Sequence, residues 1–238
     1  MKNRNIKIWA TLGPSTLNKK FLKFSNGKIS MLRLNMSHIE PKKLKKTIQF
    51  VKKNTKAKIC IDTEGAQIRV KVKKQKFYKL GKKFKIYPKG GNVSFYPQEV
   101  FKKLKVKDQL SIGFVNLNAQ IIKKNRNFML VKVISSGHLE NNKGVHLKNR
   151  VIHLNYLTKK DSEAIKIAKK LNIKNYALSF TNTENDVKNF NKLLPGKNKI
   201  YKIETKTAIK NLNKIMKHAN QFLIDRGDLS KDTKIENI

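Results

Sequence analysis

Residues 41–65, PKKLKKTIQFVKKNTKAKICIDTEG, join an amphipathic helix pattern to a short apolar strand pattern. The helix half begins with a proline in a first-turn position and repeats apolar residues at helical spacing, at Leu44, Ile48 and Val51. The strand half is the apolar run 57–62, which ends in the carboxylate of Asp62. A helix that leads into a buried strand of this kind is the repeating unit of parallel α/β folds.

The same alternation extends in both directions along the chain. Before this stretch, the apolar runs from Ile6 to Leu12 and from Ile29 to Leu34 flank a weak helical segment. After about residue 150, LTKKDSEAIKIAKKLN predicts a helix capped by Thr158, with Asp161 at its third position. Strand patterns follow at NYALSF, KIYKIE and FLID, separated by the helix patterns TENDVKNFNKLL and TKTAIKNLNKIMKHA. We therefore predict a parallel sheet of about six strand-helix units.

The segment between about residues 70 and 150 has a different pattern of apolar and polar residues. Its short alternating pieces, KFKIYP, DQLSIGF and NFMLVKVIS, are typical of antiparallel strands. Glycines separate these pieces, at Gly81, Gly90, Gly91 and Gly113. We predict an all-β domain inserted after the third parallel strand.

Length and composition exclude several classes of protein. The chain has 238 residues, of which 39% are hydrophobic, so it can bury one large core or two smaller ones. No run of about 18 apolar residues occurs, and the apolar run near the start is too short for a secretory signal. The single cysteine, Cys60, lies in an apolar run and suits a core position in a reducing compartment. We expect a cytoplasmic protein with no membrane partner.

The net charge of +40 allows two interpretations. Lysine and arginine neutralise phosphates, so a basic chain can bind nucleic acid. Here the lysines are spread over nearly every segment and form neither a tail nor a stripe interleaved with aromatic residues. We favour a solvated basic surface that attracts anionic substrates, and we expect no nucleic-acid partner.

Acidic residues are rare, and several of them end apolar runs. Only 15 Asp and Glu residues occur, and among them Asp62, Glu204 and Asp228 each follow such a run. In α/β barrel enzymes, catalytic residues lie at the carboxyl ends of the strands. We predict that Glu204 and Asp228, the latter in a loop, hold one Mg²⁺ or Mn²⁺. Lys202 lies two residues before Glu204 and so faces the same side of an extended strand, although an isolated Lys-x-Glu is usually a surface ion pair.

A second polar cluster is predicted at the end of the strand before Asp62. Arg33, Asn35 and Ser37 alternate, so a guanidinium, an amide oxygen and a hydroxyl lie on one side. Neutral oxygens together with the one carboxylate of Asp62 suit a monovalent cation.

Seven short motifs together resemble the pyruvate kinase family, in that family's order and spacing. They are ATLGPS at 10–15, RLNMSH at 33–38, IDTEGAQIR at 61–69, NKGVHL at 142–147, LTKKD at 157–161, KIE at 202–204 and RGDLS at 226–230. The resemblance implies a TIM-type (β/α)8 barrel, incomplete here at about six βα units, with an inserted β domain after strand 3. The implied domains are a first barrel part at 1–70, the inserted lid domain at 71–150 and a second barrel part at 151–238.

The resemblance also implies an activity and a set of site residues. The activity is phosphoryl transfer between phosphoenolpyruvate and ADP, which yields pyruvate and ATP in the last step of glycolysis. Lys202 and Arg33 would be catalytic, and Glu204 and Asp228 would hold the divalent cation. Potassium would be bound by Asn35, Ser37, Asp62 and Thr63. Substrate or nucleotide would contact Arg33, Asn35, His38, Pro14, Arg69, Lys143, Gly227 and Asp228, although His38 is equally compatible with a loop histidine that has no function.

Several positions depart from the family pattern. The chain has Glu64 where the family usually has lysine, Ala66 in place of proline and Gln67 in place of the glutamate associated with potassium dependence. Asp225 stands where a small residue usually precedes RGD, and the insert lacks the family's paired aspartates before glycine. The potassium requirement is therefore left open.

The resemblance reaches only the sixth strand of the family's barrel. We expect a fragment of a longer gene product, which is inactive alone and homo-oligomeric when complete; a second polypeptide that supplies the remainder and a degenerate relative are the alternatives. Two other classes remain compatible with the sequence. One is a non-catalytic protein that senses phosphoenolpyruvate, and the other is a basic nucleic-acid-binding protein whose binding would depend steeply on salt.

Overall fold

The computed structural model describes residues 6–113 and 117–232. Its fifteen described strands are β1 Trp9–Thr11, β2 Met31–Asn35, β3 Lys58–Asp62, β4 Ile68–Val72, β5 Lys76–Tyr78, β6 Lys83–Ile86, β7 Val93–Tyr96, β8 Gln109–Ile112, β9 Leu117–Lys124, β10 Met129–Ser135, β11 Gly137–Leu139, β12 Gly144–Leu147, β13 Asn175–Leu178, β14 Asn198–Ile203 and β15 Phe222–Ile224. Its eight described helices are α1 Lys19–Phe24, α2 Pro41–Asn54, α3 Val100–Lys103, α4 Lys159–Lys170, α5 Glu184–Leu193, α6 Lys206–Lys210, α7 Leu212–Met216 and α8 Arg226–Asp232.

The chain divides into two compact units. One comprises Met1–Ala66 together with Asn155–Ile238, and the other comprises Gln67–Leu154. In the parts of the chain that the structure describes, no helix combines the length and the apolar character needed to cross a membrane.

The first unit contains a six-stranded parallel sheet. Its strand order is β1-β2-β3-β13-β14-β15, so successive strands of this unit are also spatial neighbours. This confirms the predicted alternation of strand and helix and the incomplete barrel. Because the strands are parallel, their carboxyl ends lie at one edge of the sheet. The register places Asn35 opposite Asp62 at that edge.

The helices of this unit cover the sheet through the faces that the sequence predicts. Helix α2 begins at Pro41 and buries Leu44, Ile48 and Val51 completely. Helix α4 begins at the predicted capping box, in which the Thr158 side chain accepts from Asp161 N–H and the Asp161 carboxylate accepts from Thr158 N–H. Thr183 and Asp186 form a second capping box at α5.

Two local predictions for this unit are wrong. The single helix predicted over TKTAIKNLNKIMKHA is two short helices, α6 and α7, which meet at Asn211. The Asn211 side chain donates to the Asn182 carbonyl at 2.8 Å, which illustrates how asparagine competes with helical backbone bonding. Asp228 lies in the first turn of α8 instead of in a loop.

The second unit is built on an antiparallel sheet. Seven strands pair in the order β6-β10-β9-β8-β12-β4-β7, and β11 pairs with β5 in a separate ribbon. One short helix, α3, interrupts the strands. The unit has its own apolar core, which includes Val70, Ile86, Leu110 and Val131. This architecture agrees with the β insert that the alternating pattern predicts.

Candidate active site

The ammonium group of Lys202 lies among three carboxylates at the end of β14. Its Nζ is 2.8 Å from Glu204 Oε1, 3.3 Å from Asp225 Oδ2 and 3.8 Å from Asp62 Oδ2. The side chain is only 6% exposed. Burial alone would lower the pKa of Lys202, but the charges of Asp62 and Glu204 outweigh burial and raise that pKa above its ordinary value. Lys202 therefore carries its positive charge at neutral pH.

Glu204 is held in place by a backbone donor from the neighbouring strand end. Phe180 N–H donates to Glu204 Oε2 at 2.6 Å, and Phe180 has a positive φ of 52°. Glu204 Oε1 is buried and makes no hydrogen bond among the described residues beyond its ion pair with Lys202. Burial raises the pKa of Glu204 to about 7, although Lys202 and the Phe180 N–H act in the opposite direction.

Three carboxylates converge beside this lysine. Glu204, Asp225 and Asp228 each offer one oxygen, and these oxygens lie within 4.8 Å of one another. Glu204 is buried, whereas Asp225 and Asp228 are half-buried. Hard anionic oxygens at this spacing are the donors that Mg²⁺ and Mn²⁺ prefer, so the residues present fit a divalent cation.

The second predicted cluster surrounds Asp62, which is buried at the end of β3. Arg33 Nη1 lies 3.4 Å from Asp62 Oδ2, while Arg33 Nε donates to Thr11 Oγ1 at 2.9 Å. The Asn35 amide oxygen accepts from Ser37 N–H at 2.9 Å. Burial raises the pKa of Asp62 even with Lys202 and Arg33 nearby. These oxygens fit a monovalent cation by their chemistry, although two cationic side chains already approach Asp62 within 4.0 Å.

Ser179 is a site residue that the sequence interpretation missed. Its hydroxyl donates to Asp62 Oδ1 at 3.0 Å, and Lys202 Nζ lies 3.4 Å from the same hydroxyl. Ser179 N–H donates to the hydroxyl of Thr63 at 3.0 Å. Ser179 directly follows β13, so a search for any polar side chain at a strand end, instead of carboxylates alone, would have found it.

The loop after β3 is fixed from two sides. The Asp161 carboxylate accepts from Glu64 N–H at 2.7 Å and from Gly65 N–H at 3.1 Å. Gly65 has a φ of 67°, and a Cβ there would lie 2.3 Å from the Ser179 carbonyl oxygen. Glu64 is buried and pairs with Lys160 at 3.3 Å. This loop is therefore rigid where it carries Thr63.

The other predicted residues fall into two groups. Pro14 and His38 are exposed in the loops after β1 and β2, and Gly227 lies in the first turn of α8. These three residues belong to the unit that contains the carboxylate cluster. Arg69 and Lys143 lie in the other unit, where Arg69 Nη1 donates to the Asn142 carbonyl at 3.2 Å and Lys143 pairs with Glu140 at 3.0 Å.

Comparison with known proteins gives an independent view of the whole chain. The family described as "Pyruvate kinase, barrel domain" matches residues 3–238. A pyruvate kinase of Methanocaldococcus jannaschii is 31% identical over 242 residues, covering 99% of this chain and 52% of the relative. A pyruvate kinase of Buchnera aphidicola is 31% identical over 248 residues, covering 95% of this chain and 52% of the relative.

A pyruvate kinase of Chlamydia muridarum is 26% identical over 250 residues, covering 98% of this chain and 52% of that protein. The chain thus spans about half the length of these curated relatives. The match to the barrel domain extends over nearly every residue, and the parallel sheet with its inserted β unit has the architecture that the motifs imply. On these grounds the chain belongs to the pyruvate kinase family.

Proposed function

We propose that the chain carries the metal-binding and phosphoryl-binding part of a pyruvate kinase, which transfers a phosphoryl group from phosphoenolpyruvate to ADP. The observation that supports this most strongly is the buried ammonium of Lys202, 2.8 Å from Glu204 and beside a cluster of three carboxylates. A fixed positive charge next to a divalent-cation site suits the transfer of a highly anionic group.

Lys202 would act where negative charge develops. A terminal phosphate oxygen of ADP forms a bond to the phosphorus of phosphoenolpyruvate, and the bond between that phosphorus and the C2 oxygen breaks. The enolate of pyruvate remains. The ammonium of Lys202 would stabilise both the transferring group and that enolate oxygen. The enolate then takes a proton at C3 and becomes pyruvate.

The carboxylates would hold the cations that this reaction requires. Glu204 and Asp228 would bind one Mg²⁺ or Mn²⁺, which when bound neutralises charge on phosphoryl oxygens. Asn35, Ser37, Asp62 and the carbonyl of Thr63 would bind K⁺ beside it. The Phe180 N–H keeps Glu204 oriented before any ligand arrives.

Further residues would position the anionic substrates. Arg33 is anchored through Nε to Thr11, so its remaining nitrogens can exchange Asp62 for a substrate phosphate. Pro14, His38 and Gly227 would contact substrate or nucleotide from the strand-end loops. The complete protein would be a homo-oligomer.

Metal-binding calorimetry tests whether Glu204 and Asp228 bind the divalent cation. We expect Glu204→Gln and Asp228→Asn each to weaken Mn²⁺ binding by at least about tenfold, because each loses a charged ligand. Glu163→Gln, which removes an exposed carboxylate on α4, is the matched control and should bind Mn²⁺ like the wild type. Wild-type affinity in both site variants would refute the proposed metal site.

A further inference from the structure

A cavity of about 500 Å³ lies at the amino ends of β14 and β15, at the edge of the sheet opposite the carboxylate cluster. Its walls come from the end of α5, the start of β14 and the segment that joins α7 to β15. Binding sites for small molecules commonly have volumes of about 300 to 1,000 Å³. The cavity is therefore large enough for a small ligand, and none of the predicted site residues, all of which the structure describes, lines it.

Side-chain hydrogen bonds hold the walls of this cavity together. The Tyr201 hydroxyl donates to Asn191 Oδ1 at 2.8 Å, and Asn191 Nδ2 donates to the His218 carbonyl at 2.9 Å. His218 Nε2 lies 3.0 Å from Glu184 Oε1. Because these contacts join α5, β14 and the segment after α7, the cavity is formed before any ligand arrives.

Three lysines line the cavity, whereas no described carboxylate does. They are Lys197, Lys199 and Lys217. The Lys199 ammonium donates to the carbonyls of Leu194 and Lys197, each at 3.0 Å. A lysine ammonium has three N–H donors, so one donor of Lys199 remains after these two bonds. The lining therefore suits a negatively charged ligand.

Positive charge accumulates further beside this cavity, around Lys197. Partial burial and repulsion from the ammonium groups of Lys174 and Lys169 lower the pKa of Lys197 below its ordinary value. In residues 6–113 and 117–232, none of these three lysines forms an ion pair with a carboxylate, and neither does Lys199 or Lys217. Like charges that converge without a counter-ion repel one another, and a bound anion would offset that repulsion.

The cavity also has an apolar part. Met216 and Ala219 line it, and Met216 is 52% exposed. The flexible methionine side chain adapts to the shape of a ligand and packs well against aromatic rings. A ligand with an anionic group at one end and an apolar or aromatic body at the other would use both parts.

We propose that this cavity binds a small organic phosphate, with the phosphate group among Lys197, Lys199 and Lys217 and the remaining body against Met216. Lys199 donates its third N–H to the phosphate, and the other two lysines supply the remaining positive charge. Free phosphate has the same charge chemistry but has no group to contact Met216. Because the cavity and the carboxylate cluster lie at opposite edges of the sheet, this inference does not depend on the proposed function.

Amide chemical-shift mapping on the full 238-residue chain tests the inference, with AMP and inorganic phosphate as probes at one ionic strength. AMP should shift the amides of residues 197–201 and 216–221 in a saturable manner. Inorganic phosphate should shift the same amides with an affinity at least about tenfold lower, because it buries no surface of Met216. Any binding of AMP near the carboxylate cluster shifts other amides and is therefore measured separately.

Variants of the lysines identify the source of the affinity. The double variant Lys197→Gln and Lys217→Gln should lower the AMP affinity measured at these amides by at least about tenfold, because two charges are lost. Lys45→Gln, which removes an exposed lysine of α2, is the matched control and should bind AMP like the wild type. Thermal melting should show wild-type stability in the double variant, because neither lysine forms an ion pair among the described residues.

Three outcomes would contradict the inference. Unchanged AMP affinity in the folded double variant would overturn it, and so would shifts that spread over the lysine-rich surface without saturation. Equal affinities for AMP and inorganic phosphate would overturn the assignment of an organic ligand. Mn²⁺ binding at Glu204 and Asp228 is unaffected by each of these outcomes, so the proposed function stands or falls separately.

Discussion

At the scale of single residues, replacement of Lys202 separates binding from chemistry. In the complete protein, Lys202→Met should leave phosphoenolpyruvate affinity within about tenfold and lower turnover by several orders of magnitude, since the charge acts mainly where negative charge develops. Steady-state kinetics and substrate-binding titrations measure the two effects separately. A large loss of affinity with unchanged turnover would show that the role is misassigned.

Lys202 and Glu204 also show what the alternation of side chains along a strand can and cannot predict. Residues two apart in an extended strand face the same side, and Lys202 Nζ indeed lies 2.8 Å from Glu204. The contacts of Lys202 with Asp225 and Ser179 were not predictable in this way, because they depend on the register of β14 with β15 and β13. Asp225 was noticed in the sequence only as a departure from the family pattern.

Gly65 is required by both its backbone angle and its surroundings. Gly65→Ala should lower the free energy of unfolding by about 3 kcal/mol, because the new Cβ meets the Ser179 carbonyl oxygen and φ is positive. The matched control is Gly27→Ala, where φ is 73° but no atom lies within 4 Å, and which should cost only about 1 kcal/mol. Equal losses in denaturant titrations of the two variants would contradict the steric argument.

Between elements, the sequence predicted most strands and helices because their signals are local. Pro41 starts α2, and the Thr158 capping box starts α4, as their residue types indicate. The break at Asn211 and the start of α8 were missed for a different reason. They depend on side-chain contacts with Asn182 and Asp225, which lie outside each helix pattern.

The ion pair between Asp108 and Arg150 links the loop before β8 to the segment after β12. Arg150 Nε and Nη2 each donate to Asp108 at 2.7 Å. Burial would raise the pKa of Asp108, but hydrogen bonds from Arg150 and from Lys105 N–H hold it below its ordinary value of 3.8. Because the pKa of Asp108 is lowered by folding, its ion pair with Arg150 contributes to stability above pH 3.8. This contribution is lost as the pH falls through the pKa that Asp108 has in the folded protein.

Arg150→Gln tests this ion pair by leaving Asp108 buried without its cation. We expect the free energy of unfolding of residues 67–154 to fall by about 2 kcal/mol at pH 7, a value reduced for the partial exposure of Arg150. The difference from wild type should disappear at strongly acidic pH. Hydrogen exchange of the β-unit amides measures this difference in the free energy of unfolding. Arg126→Gln, which removes an exposed arginine of the same unit, is the control. A difference that stays constant with pH would contradict the electrostatic explanation.

For the protein as a whole, the parallel sheet is open at both of its described edges. Strands β1 and β15 each pair with one neighbour in residues 6–113 and 117–232, and Phe222 and Ile224 of β15 are exposed. Relatives in the family are about twice as long as this chain. The fold class was predictable because seven motifs fall in order along the strands. The contacts among the charged side chains at the site were not predictable, because they bring together residues from several strands.

The open sheet leads to a prediction about activity. We expect the 238-residue chain alone to convert no measurable phosphoenolpyruvate and ADP to pyruvate and ATP, because the six described strands of the parallel sheet do not close a barrel. A lactate-dehydrogenase-coupled assay measures this conversion. Robust Mg²⁺-dependent pyruvate formation would mean that the described strands suffice for activity.

The central claim is that the carboxylates beside Lys202 bind a divalent cation for phosphoryl transfer. Anomalous diffraction from a crystal of this chain grown with Mn²⁺ and phosphoenolpyruvate tests it most directly. We predict one strong manganese peak coordinated by Glu204 and Asp228, with Lys202 turned from Asp225 toward the substrate phosphate. A manganese peak elsewhere, with Lys202 still paired to Asp225 and no metal at Glu204, would contradict the claim.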